Sequence, residues 1–191
     1  MKYLEGTDLS AYRDKYWYFP ILTRVLYEEI GPKIRKQNHL TYEDLALVYL
    51  WKALLWRLRD ESENKFQKIE DSSIRIKNVT EQIFKTDHHD KQAVRKLLES
   101  LETLVKPSTD KFLNGVPRRV ASTILSVTDP VLYGVVDFYV LRALDIPEED
   151  TKAFVDAIFR MREIAQEQTR MSKMIWTARD VDKALWVLSR K

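Results

Sequence analysis

Cysteine is absent from all 191 residues, which excludes disulfides, thiolate nucleophiles, iron–sulfur clusters and cysteine-ligated zinc. A reducing compartment is the natural setting. The opening residues Met1-Lys2-Tyr3-Leu4-Glu5-Gly6 carry an early acid and no apolar core, unlike a signal peptide, so a cytoplasmic location is expected. Long hydrophobic runs are also missing. The longest, Leu45–Trp51, is seven residues, whereas a membrane-spanning helix needs about 20, so no membrane partner is expected. Charge of one sign is in short supply as well: 32 basic against 29 acidic residues leave a net +3, a weak pull toward acidic partners.

Four glycines and six prolines in the whole chain leave few natural breaks, and the stretches between them repeat with period 3.6 rather than 2. The expected fold class is therefore all-α, a multi-helix globular arrangement over residues 1–191 as a single helical domain. Leu9–Gln37 reads as one or two helices, with Pro20 as a break or kink and Gly31-Pro32 as a stop. Its aromatics Tyr16, Trp17, Tyr18 and Phe19 read as core or packing residues. Thr41 with Asp44 three residues on makes a capping box for Leu45–Leu58, whose apolar residues occupy nearly every face, as in a buried central helix. The polar segment Arg59–Lys77 fits a loop, a solvated helix or a mobile insertion. Asp87 or Asp90 caps an amphipathic helix with the stripe Val94, Leu97, Leu98, Leu101, Leu104 and Val105, ended by Pro107. A further helix is expected from Pro147 to about Gln168, with Glu148-Glu149-Asp150 in its first turn, and a last one from near Thr177 with Asp180 at the capping-box position.

The stretch Leu113-Asn114-Gly115-Val116-Pro117-Arg118-Arg119-Val120-Ala121 places a short Gly-containing turn between two expected helices, a helix–hairpin–helix pattern at about 107–127. A tight turn ending at a helix N-terminus presents free backbone N–H groups and a positive dipole end, which together suit a phosphate. Gly115, Val116, Arg118 and Arg119 are the candidate DNA-binding residues on that reading; on the plainer one, Gly115 is a helix–helix connector without a ligand. Asp137 opens the next expected helix, Phe138–Leu144. It is either a simple N-cap or a carboxylate that the cap holds fixed for chemistry.

These residues resemble the helix–hairpin–helix DNA glycosylase superfamily, in which a Leu-Pro-Gly-Val-Gly-x-Lys-Thr-Ala-like hairpin precedes an Asp in a Val-Asp-Thr-His-Val-x-Arg-like segment. Leu113, Gly115, Val116 and Ala121, then Val136, Asp137, Val140 and Arg142, carry the match. Arg119 precedes Asp137 by the eighteen residues that separate the family's Lys and Asp. The resemblance implies a DNA-glycosylase-like fold, duplex DNA as partner and base excision, with Asp137 catalytic as the glycosidic bond breaks. Pro117 stands where the family has a second Gly, removing one N–H from the hairpin. Arg119 stands for the Lys, and a guanidinium forms no Schiff base, so the implied enzyme is a monofunctional N-glycosylase without lyase activity from this position. Phe138 and Tyr139 replace the polar Thr and His. The Asp137 segment, with Pro130, Tyr133, Val140, Ala143 and Leu144, and the run Arg179-Asp180-Val181-Asp182-Lys183-Ala184-Leu185-Trp186 also resemble uncharacterised prokaryotic helical proteins, which implies no activity.

The alternative is a non-enzymatic helical protein on the same scaffold that binds a protein partner or self-associates. Asp87-His88-His89-Asp90 resembles a metal cluster, but neighbours on a helix do not share a face, so no metal ligand is assigned. His39 reads as a surface or capping residue, and Trp51 and Trp56 as core rather than stacking platforms. No motif calls for a cofactor, and none is expected.

Overall fold

Most of the longer helices in this chain start where a side chain satisfies amides that a first turn leaves unpaired, whereas the short ones beginning at Ser10, Pro20 and Gly31 have no side-chain cap. The computed structural model describes residues 6–57, 69–105, 116–147 and 150–190, with only the backbone for 53–57. The elements are α1 (Ser10–Arg13), α2 (Pro20–Arg24), a π-helical turn Val25–Ile30, α3 (Gly31–Gln37), α4 (Tyr42–Arg57), α5 (Ser73–Thr80), a 3₁₀ turn Glu81–Lys85, α6 (Lys91–Glu102), α7 (Val116–Thr128), α8 (Phe138–Ala143), α9 (Thr151–Ser172) and α10 (Ala178–Leu188). The described residues hold no strand beyond one isolated bridge, Ile69 with Val105. The fold is all-α. No helix among the described residues is long and apolar enough to cross a membrane.

The expected caps are present. Thr41 and Asp44 exchange bonds of 3.0 and 3.3 Å ahead of α4, and Thr177 with Asp180 forms the full capping box of α10. Asp90, rather than Asp87, caps α6 by accepting from Gln92 N at 2.8 Å. Two boundaries need correction, and one segment left open gains a helix. α9 begins after Asp150, which accepts from Ala153 N at 2.7 Å, so Asp150 is the cap and not a first-turn acid. The expected stop at Gly31-Pro32 is instead the start of α3, because the π turn Val25–Ile30 carries the helical path through and Pro32 falls in a first turn, where its missing N–H is harmless. The polar segment after α4 contains α5, capped by Ser72; residues 58–68 of it lie outside the described part of the chain.

The buried central helix is α7, not α4. Every α7 residue except Arg118 and Arg119 is buried, whereas Ala46, Leu47 and Leu50 of α4 are only partly so. Small and hydroxyl residues make this compatible with a core: they let neighbours approach closely, and the hydroxyls of Ser122, Thr123 and Ser126 find partners nearby, while that of Thr128 has none among the described residues. Thr123 Oγ1 donates to Arg119 O at 2.7 Å, and Tyr27 and Ser126 hydroxyls pair at 2.9 Å. α3, α4, α6 and α9 all pack on α7, and α10 packs on α1, α8 and α9. α3 comes so close that a Cβ on Gly31 would stand 2.5 Å from Val127 O. Leu113, Asn114 and Gly115, with the expected hairpin turn, lie outside the described residues; the second helix of the expected motif is α7.

Between α7 and α8 the chain runs extended through Tyr133–Val136, buried under α9 and α10. Gly134 is the point of closest approach: a Cβ there would lie 2.7 Å from Ala178 O and 2.6 Å from Met161 Sδ. Since a backbone carbonyl cannot swing aside, Gly134→Ala is expected to cost about 1–3 kcal/mol. Urea denaturation should show the midpoint falling with the m-value unchanged.

Candidate functional site

Two hydrogen bonds aim the extended segment. The buried Asp182 carboxylate of α10 accepts from Val135 N at 2.5 Å, and Ser122 Oγ of α7 accepts from Val136 N at 3.1 Å. The next residue, Asp137, is thereby delivered to the end of α8 as its N-cap. Its Oδ1 accepts from Tyr139 N at 3.0 Å and Val140 N at 3.1 Å, and its Oδ2 accepts from Lys52 Nζ of α4 at 3.0 Å. This ion pair is shielded, with side chains 9% exposed for Lys52 and 16% for Asp137. Burial pulls the Lys52 ammonium below its ordinary range, against the stabilising pull of Asp137, and the Arg119 guanidinium adds to the lowering.

Asp137 and Lys52 line a cleft of about 270 Å³ together with Arg119, Arg179, Asp182 and Arg190. Seven of its fifteen lining residues are aromatic. Trp186 is their centre, with Tyr16, Trp17, Tyr18 and Tyr139 at 5.4, 5.7, 5.8 and 5.9 Å, all edge-on. Tyr18 meets Trp51 at 5.0 Å, and the Trp51 indole N–H donates to Thr23 Oγ1 at 2.9 Å. Beneath them Arg179 pairs with Asp182, donates to Tyr16 OH at 3.1 Å, and lies 4.7 Å from the Tyr27 ring centroid. Burial pushes Asp182 up to about 6, with Arg179 and the Val135 N–H opposing it. Burial also lifts the Tyr16 hydroxyl to about 12, and this neutral phenol accepts the bond from Arg179.

The aromatic run expected to be core is thus divided. Tyr18 is buried, but Trp17 is 63% exposed at the mouth of the cleft, facing solvent beside Phe138 at 51%. Phe19, just before Pro20, takes a left-handed backbone at φ 41, a strained conformation for an aromatic residue that costs on the order of 1–3 kcal/mol. Thr23 holds that bend by donating to Phe19 O from its N–H at 2.8 Å and to Tyr18 O from its hydroxyl at 2.7 Å. The strain turns the Tyr16–Tyr18 rings toward Trp51 and Trp186.

Of the residues singled out from sequence, Arg119 and Asp137 meet at the cleft. Arg118 points instead to α6, where its Nε lies 3.4 Å from Glu102 Oε2. Val116 is buried in the core, and Gly115 lies outside the described residues. His88 of the Asp87–Asp90 run bonds Tyr133 OH at 2.6 Å, and no group of three or more His, Asp or Glu that could hold a metal occurs among the described residues. Arg179, Asp182 and Trp186 join the site from the run Arg179–Trp186, to which the resemblance attached no activity, and Lys52 joins it without a motif that points to it. The one signal in the sequence for Lys52 is a lone cation inside the most apolar helix of the chain. No family model, no curated protein and no solved structure matches the chain.

Removing one partner from the shielded pair leaves the other charge buried, which typically costs about 3–5 kcal/mol. Asp137→Ala, which also loses an N-cap worth about 0.5–2 kcal/mol, should be among the most destabilising single changes at the cleft. Lys52→Met combined with it should lose about 1–3 kcal/mol less than the two singles summed. A double-mutant cycle by urea denaturation measures this coupling; additive losses would mean that the two side chains do not interact.

Proposed function

We propose that the cleft receives a nucleotide turned out of duplex DNA and that the protein is a helix–hairpin–helix DNA N-glycosylase, with Asp137 as the catalytic carboxylate. The observation that carries this reading is the composition of one cavity: aromatic faces and edges able to take a flat ring, cations in excess of carboxylates, and a fixed carboxylate in the lining. A flipped base needs stacking partners and its phosphates need positive charge, and this cleft offers both. The lining cations Lys52, Arg119, Arg179 and Arg190 outnumber Asp137 and Asp182, which favours a neutral ring over a cationic alkylated one. The eighteen-residue spacing of Arg119 and Asp137 gives the resemblance to the glycosylase superfamily a spatial counterpart, since both side chains line the same cavity.

In this reading the C1′–N bond breaks with its electron pair leaving on the base. The Asp137 carboxylate stabilises the cationic sugar that results and takes a proton from the water that attacks C1′. Three donors fix that carboxylate, so little reorganisation is needed as charge develops. Arg119 carries positive charge to the cleft and forms no Schiff base. Arg118, held by Glu102 on α6, and the buried Val116 lie away from the cleft lining, so Arg119 and Arg190 are the cations offered to the phosphates there.

Duplex binding should fall steeply with salt. Arg119→Ala should weaken it more than Arg118→Ala, whose side chain is engaged by Glu102, and the salt slope should drop by about 1 for each phosphate deprived of its cationic partner. On a panel of duplexes bearing single damaged bases, wild-type protein should leave alkali-labile sites that Asp137→Asn does not. A variant that merely loses stability while wild type also releases no base would favour the non-enzymatic alternative, and absence of binding at low salt would exclude the proposal.

A further inference from the structure

Arg119 cannot perform amine chemistry, yet an amine stands in the same cavity. Lys52 reaches it from α4, not from α7, and its Nζ lies 3.0 Å from Asp137 Oδ2. A lysine so placed has the features of an activated nucleophile: it is shielded from water, has cationic neighbours, and has a base within hydrogen-bonding reach. We propose that Lys52 attacks the C1′ aldehyde left after base loss, forming an imine with the abasic sugar and cutting the strand on its 3′ side by β-elimination. This inference rests on the function proposed above and extends it from a hydrolase to a glycosylase with lyase activity supplied from an unexpected helix.

The atoms balance without a co-reactant. The Lys52 ammonium gives a proton to the Asp137 carboxylate across the 3.0 Å hydrogen bond, and the freed amine adds to C1′. The carbinolamine oxygen takes up the protons released and leaves as water, giving the iminium. Asp137, again a carboxylate, removes a C2′ proton; the resulting electron pair forms the C2′–C3′ double bond as the C3′–O bond breaks, and the 3′ phosphate departs. Water then hydrolyses the conjugated imine, returning the Lys52 amine and releasing an unsaturated aldehyde. No step oxidises or reduces anything.

The surroundings support the first proton transfer. Lys52 is faced by Asp137 from α8, Arg119 from α7, and Arg179 and Asp182 from α10. Burial and Arg119 favour the neutral amine, whereas the two carboxylates oppose it, and burial prevails. Imine formation should therefore rise with pH along a curve whose midpoint lies below the ordinary lysine value of 10.5.

The test uses full-length protein, a synthetic duplex with one aldehydic abasic site, and sodium borohydride, which reduces an imine to a stable amine link. A matched duplex with a tetrahydrofuran in place of the sugar aldehyde measures binding. Wild type should give a covalent adduct that peptide mass spectrometry maps to Lys52. The adduct per bound duplex should drop to background in Lys52→Arg, which keeps the positive charge beside Asp137, and in Lys52→Gln. An adduct mapped to another amine, or no adduct although the tetrahydrofuran duplex is bound, overturns the role of Lys52 and leaves base excision by Asp137 standing. Failure to bind either duplex overturns both.

Discussion

The Asp137 carboxylate accepts three hydrogen bonds, two from the first amides of α8 and one from Lys52 of α4, 85 positions away in the chain. A short helix with six residues has little stability of its own, so the cap and the cross-chain ion pair fix where α8 starts and how it faces α4. The same carboxylate lines the cleft. Local structure and candidate chemistry therefore meet in one group, and the second buried pair, Arg179 with Asp182, supports it from below by holding Val135 N. Paired charges of this kind can be buried at modest cost, here with Arg179 Nε left without a hydrogen-bond partner among the described residues, whereas removal of one member leaves a charge uncompensated.

Around that cleft the chain spends stability on shape. The left-handed Phe19 and the polar pairs under Trp51 and Trp186 work against the packed apolar core that α7 organises. In return the molecule holds a rigid aromatic wall with an exposed Trp17 at its mouth. Buried charge lining the cavity, and backbone strain at Phe19 beside its aromatic wall, are the features that support the proposed ligand site. Flat, uncharged rings suit the wall, and anionic groups suit the surplus of cations, a combination that a nucleotide unites.

What was legible in the sequence was local. The caps at Thr41, Asp137 and Thr177 follow from a side chain reaching an amide two or three residues on, a distance that spacing alone encodes. The amphipathic stripe of α6 was equally plain. Burial of α7 was hidden because Ser122, Thr123, Ser126 and Thr128 look polar in a hydropathy pattern, yet all four are buried as small residues, the first three with their hydroxyls on nearby carbonyls or neighbours. Gly31-Pro32 looked like a stop because a π turn has no sequence signature comparable to a cap. Tyr16–Phe19 could be recognised as packing material, but whether a ring faces core or cleft depends on partners such as Trp51 and Trp186, far along the chain. Lys52 was overlooked for the same reason: its meaning comes from a carboxylate that only the folded chain brings within 3.0 Å.

The most direct measurement is a crystal structure of the protein bound to a duplex with a single tetrahydrofuran abasic analogue. The expected result is the sugar turned out of the helix into the aromatic cleft, with C1′ within reach of both the Asp137 carboxylate and the Lys52 amine, and a phosphate beside Arg119. A duplex seated on another face, with the cavity bounded by Tyr16, Tyr139 and Trp186 left empty, would contradict the assignment of this ion pair as the reacting centre.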